Sequence, residues 1–307
     1  MDSESKILAI ICGPTGVGKT AVGLKLAKAF HGEIINCDSM QVYKGFDIGT
    51  DKLLPPFQMN IPHHLIDIVE PTTQFTAADF IERAVDALDE IRRRRHLPIV
   101  VGGTGLYIKA LVEGLFPEGR KHPEIRAHLK KEYQEQGPTA MWKKLSAVDP
   151  VYAEKISQND RTRIIRALEV YEATGKPFSL HFNSTSSRVD DFTILKIGLR
   201  LDRDTLVTRI EDRVDRMFSQ GIVEEIRNLL RLGVDESVPP FRALGYQHVL
   251  RHLHGETSLE TAVAETKKDT RQYAKRQMTW FRKMEGIRWF DPNHFSKIEE
   301  YIQQTLQ

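Results

Sequence analysis

The sequence predicts an α/β fold: a P-loop-containing core with a parallel sheet flanked by helices, plus an inserted all-helical domain. The first observation is a glycine-rich turn, Gly13 to Thr20, that stands between an apolar run and a helical pattern. The second is the alternation of strand and helix patterns in the first third of the chain, which is typical of a helix-covered parallel sheet. The third is a change to helical, charged sequence after Phe116-Pro117. We therefore assign 1–115 and 191–307 to the core and 116–190 to the insertion.

The remaining core elements follow from local patterns. Short apolar runs predict strands at Ile7 to Cys12, Ile34 to Cys37, Leu97 to Val101, Phe192 to Leu199 and Ile287 to Phe290. Thr76-Ala77-Ala78-Asp79 has the spacing of a capping box and predicts a helix that ends near Arg94. Within the insertion, Gly137-Pro138 and Asp149-Pro150 interrupt a helical pattern that runs from His122 to Thr174.

The composition is that of a globular protein. The chain has 307 residues, of which 40% are hydrophobic and 28% charged, and its net charge is +2. Cys12 and Cys37 lie in apolar runs, so they are predicted to be buried thiols. No cysteine spacing fits a zinc site, and neither His63-His64 nor the histidines at 248, 252 and 254 have partners that complete one. The acidic start and the short apolar runs predict a soluble, cytoplasmic protein without membrane association.

The glycine-rich turn has the pattern of a phosphate-binding P-loop. Its residues are Gly13, Pro14, Thr15, Gly16, Val17, Gly18, Lys19 and Thr20. Glycines allow backbone N–H groups to surround a phosphate, and the amino end of the following helix adds positive partial charge. Lys19 can contribute a point charge, and Thr20 can offer its hydroxyl to Mg²⁺. This segment is therefore predicted to bind a diphosphate or a triphosphate.

Two further segments follow predicted strands and should reach the same edge of the sheet as the P-loop. Asp38 can bind Mg²⁺ or act as a general base, and the alternative is a turn-forming residue. Thr104, within Gly102-Gly103-Thr104-Gly105, can hydrogen-bond to the bridging or leaving oxygen of a phosphate. The strand before Gly102 lacks the terminal Asp-Glu of ring-forming ATPases, which argues against a motor.

Three arginines fall on one face of a predicted helix, namely Arg209, Arg213 and Arg216. Such a face can neutralise a departing diphosphate. For Arg209 and Arg216, the alternative is a solvated face on which they pair with acidic residues of the same helix.

A strongly basic segment lies near the end of the chain. Its basic residues are Lys267, Lys268, Arg271, Lys275, Arg276, Arg282 and Lys283. Helical spacing places Lys268, Arg271, Lys275 and Arg282 on one face, and it places Tyr273, Gln277, Trp280 and Met284 on another that suits the core. A second basic cluster in the insertion consists of Arg161, Arg163 and Arg166. Two such surfaces predict a clamp on nucleic acid, and ordinary solubilising charge is the alternative.

These motifs resemble those of the tRNA dimethylallyltransferase family, also called tRNA isopentenyltransferases, over nearly the whole chain. Besides the P-loop, the similar segments are Asp38 to Tyr43, Asp47 to Thr50, Pro62 to Asp67, Gly102 to Tyr107, Asn159 to Glu169, Ala243 to Tyr246, Thr270 to Gln277 and Thr279-Trp280. The resemblance implies transfer of a dimethylallyl group from dimethylallyl diphosphate to a tRNA. The acceptor is the exocyclic N6 amine of the adenosine 3′-adjacent to the anticodon, and the product is N6-isopentenyladenosine. The P-loop then holds the diphosphate leaving group rather than a nucleotide.

The resemblance also implies roles for individual residues. Asp38 is expected to receive the amine proton, Thr104 to lie where the prenyl diphosphate meets the base, and Arg213 to face the diphosphate. Mg²⁺ is expected at Thr20. The anticodon stem-loop is expected to contact Asp38, Ser39, Met40, Gln41, Thr104, Arg126, Thr162, Arg163, Ile164, Ile165, Arg166, Arg242, Ala243, Leu244, Gly245, Tyr246, Gln247, Lys275, Arg276, Gln277, Met278, Thr279, Trp280, Phe281 and Arg282.

The chain departs from the family pattern at Gly16-Val17, where the family often has Ala-Ser or Ala-Thr. Val17 has no hydroxyl, so a side-chain contact with the diphosphate is not expected there. The zinc finger of some eukaryotic relatives is also absent from the sequence. A P-loop small-molecule kinase with Asp38 as base is the alternative function, and a non-catalytic RNA-binding module is a third. We expect a monomer.

Overall fold

The computed structural model describes residues 6–115 and 122–306. The chain separates into two compact units, one formed by 1–109 with 189–307 and the other by 110–188. The change of character predicted at Phe116-Pro117 falls on residues 116–121, which lie outside the described residues. The smaller unit begins and ends slightly before the insertion that the sequence predicts.

A parallel sheet forms the centre of the larger unit. Its strands within the described residues are β1 (Ile7–Cys12), β2 (Gly32–Asn36), β3 (His63–His64), β4 (Leu97–Gly102), β5 (Thr193–Leu199) and β6 (Ile287–Phe290). They lie in the order β3-β2-β4-β1-β5-β6, and every neighbouring pair is parallel. Strand β1 is central, because Ile10 pairs with Val100 of β4 and with Lys196 of β5. Its residues are all buried, as the apolar run predicts.

The strand predictions are confirmed for β1, β2, β4, β5 and β6, with shifts of one or two residues at the ends. The sequence did not predict β3. Its two residues, His63 and His64, are too few to show a pattern, and they form a strand only because they pair with Ile34 and Ile35 of β2.

Helices cover this sheet and extend beyond it. In the larger unit they are α1 (Lys19–Ala29), α2 (Ala77–Arg93), α7 (Arg203–Ser219), α8 (Ile222–Arg231), α9 (Tyr246–Leu253), α10 (Leu259–Phe281) and α11 (Phe295–Leu306), while α3 (Gly105–Glu113) runs across the division. The predicted capping box of α2 is confirmed. The Thr76 hydroxyl accepts the N–H of Asp79, and the Asp79 carboxylate accepts the N–H of Thr76.

Two apolar clusters stabilise the larger unit. One fills the space between the sheet, α1 and α11, and it includes Ile11, Leu26 and Ile298. The other packs the segment after β2 against α8 and α9. There the ring of Phe46 meets the rings of Phe241 and Tyr246 edge to face, with centroid distances of 5.0 and 5.1 Å. The second cluster buries Val42, Tyr43 and Phe46, and it thereby holds the loop that follows β2 in place.

The smaller unit is helical, as predicted. It contains α4 (Pro123–Val148), α5 (Pro150–Ala153) and α6 (Arg161–Thr174), which pack around an apolar cluster that includes Leu129 and Leu168. The predicted break in α4 is confirmed, because Gly137 has the non-helical φ of 81° directly before Pro138. None of the helices within 6–115 and 122–306 combines the length and apolar character needed to cross a membrane.

Candidate active site

A cavity of about 810 Å³ lies at the carboxyl edge of the sheet in the larger unit. Three loops line it: the P-loop after β1, the segment from Asp38 to Gln41 after β2, and Gly102-Gly103 at the end of β4. The predicted meeting of these segments is therefore confirmed. Helices α7 and α10 complete the wall with Arg213 and Gln277.

The P-loop has the backbone geometry that anion binding needs. Gly16 has φ of 78°, and a Cβ there would lie 2.9 Å from Ile210, so both conformation and space favour glycine. Lys19 Nζ donates to the carbonyl oxygens of Gly13 at 3.0 Å and Pro14 at 2.8 Å. Burial, with the nearby Arg213 as a second cause, lowers the pKa of Lys19 to about 8. Val17 is fully buried in the core cluster of the sheet, so its side chain packs there and does not line the cavity.

Asp38 has one oxygen in a turn and one without a partner. Its Oδ1 accepts the N–H of Met40 at 2.8 Å and of Gln41 at 3.3 Å, so the turn-forming interpretation is correct for this atom. Its Oδ2 makes no hydrogen bond or ion pair with any residue of 6–115 or 122–306. Because Asp38 lines the cavity, a carboxylate with a fixed orientation and one unpaired oxygen faces the space where a ligand would bind.

Thr104 joins the loops after β2 and β4. Its hydroxyl oxygen accepts the N–H of Ser39 at 3.1 Å, and its own N–H donates to the Cys37 carbonyl at 3.3 Å. The hydroxyl proton is therefore left to donate to a bound group. Thr104 does not itself line the cavity, whereas Gly102, Gly103 and Ser39 do. It is bound to the two residues that flank Asp38 in the chain, Cys37 and Ser39.

Arg213 is held from three sides. Its guanidinium donates to the hydroxyl of Thr15 and to the Thr50 carbonyl at 3.4 Å, and it lies 3.3 Å from the Asp51 carboxylate. Arg209 and Arg216 also line the cavity. Neither arginine forms an ion pair with Glu211, Asp212 or Asp215 in the described residues, so the alternative interpretation is wrong: Glu211 pairs with Arg271 and Asp215 with Lys267, both on α10.

A half-buried carboxylate that the sequence did not reveal holds the loop beside Arg213. The carboxylate of Glu225 accepts the N–H groups of Asp47 at 3.0 Å, Ile48 at 2.7 Å and Gly49 at 3.4 Å. It also accepts the hydroxyl of Tyr246 at 2.6 Å. This carboxylate places the loop whose next residues contact Arg213. Asp47 to Thr50 and Ala243 to Tyr246 were recognised as family segments, but their pairing through Glu225 depends on the fold.

Gln277 connects two of the cavity loops. Its Oε1 accepts the N–H of Thr15 at 2.8 Å, and its Nε2 donates to the Gly103 carbonyl at 2.9 Å. The prediction that Gln277 faces inward is confirmed, since it is 7% exposed. The same prediction is wrong for Trp280, which is 37% exposed and lies against Gly105. Tyr273 also lines the cavity, and burial followed by the nearby Asp38 raises its pKa to about 12.

The expected tRNA-contacting residues differ widely in exposure. Those with exposed side chains are Thr162, Arg163, Arg242, Lys275, Arg276, Thr279, Trp280 and Arg282, while Ser39, Met40, Gln41, Ala243, Leu244, Gln247 and Met278 are half-buried. The side chains of Ile164, Ile165, Tyr246 and Phe281 lie in the core, and Gly245 is buried as well, so their segments can present only neighbouring residues. Arg126 and Arg166 pair with the buried Glu169 of their own unit.

The histidines have partners other than metal ions. His64 contacts the buried carboxylate of Glu33 at 2.7 Å, and His248 contacts Asp269 at 3.1 Å. The part of the chain that the structure describes holds no group of three or more His, Cys, Asp or Glu residues that could bind a metal. Thr20 is exposed and lines the cavity with Asp38, so a magnesium ion there would take most of its oxygen ligands from a bound phosphate and from water. The residues present fit such an ion.

The fold and the cavity define an α/β protein with a P-loop sequence at the carboxyl edge of its parallel sheet. A family model described as IPP transferase matches residues 41–284. A tRNA dimethylallyltransferase 2 of Geotalea uraniireducens is 47% identical over 98% of both chains. A tRNA dimethylallyltransferase of Carboxydothermus hydrogenoformans is 45% identical over 97% of this chain and 96% of that one. The chain therefore belongs to the tRNA dimethylallyltransferase family.

Solved structures are similar along almost all of the chain. The tRNA isopentenylpyrophosphate transferase of Bacillus halodurans is 38% identical with a TM-score of 0.73, covering 98% of this chain and 97% of that one. A eukaryotic dimethylallyltransferase acting on tRNA is 32% identical with a TM-score of 0.80, covering 98% of this chain and 77% of that one. These similarities confirm the predicted fold class and family.

Proposed function

We propose that this chain transfers a dimethylallyl group from dimethylallyl diphosphate to the N6 amine of the adenosine 3′-adjacent to the anticodon of tRNA. The product is N6-isopentenyladenosine. One observation carries the proposal: a P-loop with its lysine and arginine shares a cavity with a carboxylate that has an unpaired oxygen. The first part suits a diphosphate and the second a nucleophile that must lose a proton. Membership of the family supports the same reaction.

The P-loop side of the cavity would bind the donor through its diphosphate. The amino end of α1, Lys19 and Arg213 supply positive charge where negative charge grows as the allylic carbon–oxygen bond breaks. Thr20 would hold Mg²⁺ against the diphosphate oxygens, and that ion would supply further charge neutralisation. When the bond breaks, its electron pair leaves with the diphosphate.

The acceptor side would deprotonate the base. The N6 nitrogen forms the new bond to the allylic carbon, and its proton passes to Oδ2 of Asp38, the oxygen that the turn leaves unpaired. The Thr104 hydroxyl accepts the N–H of Ser39, which follows Asp38 in the chain. It can donate its proton to an oxygen or nitrogen where the prenyl diphosphate meets the base. The bound acceptor base would also have to keep water from the allylic donor, which water would otherwise consume.

Exposed basic residues would bind the tRNA. In the larger unit these are Lys275, Arg276 and Arg282 of α10 with Arg242, and in the smaller unit Arg163 is exposed. The target adenosine must leave its stack to reach Asp38, at a cost of a few kcal/mol that phosphate contacts can offset. Because P-loop, carboxylate and arginines of the cavity come from one chain, we propose a monomer, and a cytoplasmic location follows from the tRNA substrate.

The direct test is incubation with tRNA, Mg²⁺ and dimethylallyl diphosphate, followed by nucleoside mass analysis. We expect N6-isopentenyladenosine in tRNAs that carry adenosine 3′ of the anticodon. Absence of this nucleoside across a complete pool of unmodified tRNA would refute the proposal. ATP turnover without tRNA would support the small-molecule kinase instead.

A further inference from the structure

We propose that Gln277 is a positioning residue that ties the P-loop to the Gly102-Gly103 loop and so sets the gap that the prenyl group crosses. The inference rests on the proposed function. The family resemblance implies that Gln277 contacts tRNA, and the present proposal gives it a different role. Three features of the described residues carry it: the use of both ends of the amide, the crowding at Gly103, and the place of Thr15.

Both polar atoms of the Gln277 amide are used. Oε1 accepts the N–H of Thr15 at 2.8 Å, and Nε2 donates to the carbonyl of Gly103 at 2.9 Å. One partner is a donor and the other an acceptor, so the amide has only one satisfactory orientation. A carboxylate of the same shape could accept from Thr15 but could not donate to Gly103. The side chain is 7% exposed, so it is held mainly by protein contacts.

Gly103 allows this close approach. A Cβ at Gly103 would lie 2.4 Å from Nε2 of Gln277, and 3.4 Å from Nζ of Lys19. The backbone φ of Gly103 is not in the left-handed region, so alanine is conformationally acceptable there. A side chain at this position would therefore have to displace the Gln277 amide.

The link from Thr15 through the Gln277 amide to Gly103, here called the bridge, controls the geometry of the diphosphate side and of the acceptor side. Thr15 is held by Gln277 through its N–H and by Arg213 through its hydroxyl, so the bridge also determines where Arg213 meets the P-loop. Gly103 directly precedes Thr104, which hydrogen-bonds to the turn that contains Asp38. One side chain thus spans the distance between the diphosphate side and the acceptor side. It is carried by α10, whose Lys275 and Arg276 are exposed for RNA.

A double-mutant cycle between Gly103 and Gln277 tests the bridge. Gly103→Ala should lower kcat/KM for dimethylallyl diphosphate by about tenfold or more, since it displaces a buried, doubly bonded amide. In a Gln277→Ala background the added methyl meets no amide, so the same substitution should cost less than about threefold. Equal losses in the two backgrounds would overturn the proposal. Thermal unfolding establishes that each variant is folded. If Gln277→Ala does not fold, a wild-type value of kcat/KM in Gly103→Ala would overturn the proposal.

Gln277→Glu separates positioning from contact with RNA. We expect at least about a tenfold loss of kcat/KM for the donor and weaker binding of inorganic pyrophosphate by calorimetry, with the Kd for tRNA changed less than about threefold. Gln303→Glu, at an exposed residue of α11, is the matched control and should leave both values unchanged. Weaker tRNA binding with wild-type pyrophosphate affinity would show an RNA contact and overturn the inference. Pyrophosphate binding also distinguishes the two proposals, because it reports on the bridge even if wild-type protein forms no isopentenyladenosine.

Discussion

The substitution Asp38→Asn tests the proposed base without disturbing the loop that carries it. The structure separates the two oxygens of this side chain: Oδ1 accepts the N–H groups of Met40 and Gln41, and Oδ2 has no partner in the described residues. Asparagine keeps an acceptor for the two N–H groups and places an NH₂ group where Oδ2 stands. It therefore removes the proton acceptor and leaves the turn in place.

The expected magnitude follows from this geometry. Loss of a positioned general base lowers kcat by about 10²- to 10⁴-fold, or about 3–5 kcal/mol in activation free energy. Affinity for tRNA should be unchanged or slightly tighter, since the substitution removes a negative charge near a polyanion. Asp38→Ala also leaves two N–H groups without an acceptor, so it should lower the free energy of unfolding by a further ~1 kcal/mol.

Single-turnover transfer to an anticodon stem-loop, with urea unfolding of all three proteins, measures both effects. Retention of more than about a third of the wild-type rate by Asp38→Asn would refute the assignment of Asp38 as base. It would also revive the interpretation of the chain as an RNA-binding module in which this side chain only forms a turn. A loss of rate that tracks a loss of stability in both variants would point to the turn as the cause.

Three other perturbations have defined outcomes. Burial lowers the pKa of Lys19 to about 8, so the charged fraction of this side chain falls above that pH. We therefore expect kcat/KM for the donor to be level below pH 8 and to fall about tenfold per pH unit above it. Lys19→Arg should show no such fall. Lys275→Ala should weaken tRNA binding and reduce the slope of log K against log salt by about 1, while Lys28→Ala, at an exposed residue of α1, should do neither. Tyr246→Phe leaves Glu225 without the hydroxyl, so urea unfolding should show a loss of about 1–3 kcal/mol, and an unchanged free energy would contradict this role of Glu225.

Much of the candidate site could be predicted from sequence because its parts follow strands. Asp38, Thr104 and the P-loop each come directly after an apolar run, and parallel strands bring their carboxyl ends to one edge. Partners separated by many residues could not be predicted in this way. Glu225 is in an ordinary amphipathic helix, and only the fold brings its carboxylate to the N–H groups of Asp47, Ile48 and Gly49.

Charge patterns were the least reliable guide. The sequence placed Arg271 on a face for polyphosphate, yet it pairs with Glu211. Arg166 pairs with the buried carboxylate of Glu169, and its expected contact with RNA stays a prediction. Arg271 is neutralised by an acid on another helix, which a count of charges along one helix cannot reveal, whereas Glu169 lies three residues after Arg166 on the same helix.

The sequence by itself determined the local elements and the chemistry they can supply: a phosphate loop, a carboxylate after a strand, and a basic helix. These depend on residues close together in the chain, whose conformations follow from glycine, apolar periodicity and capping. The tertiary structure alone decided that Glu225 holds the loop after β2, that Arg271 pairs with Glu211, and that Gln277 joins two loops of the cavity. The reason is physical: hydrogen bonds and ion pairs form between groups a few ångströms apart, and that proximity is set by packing rather than by spacing along the chain.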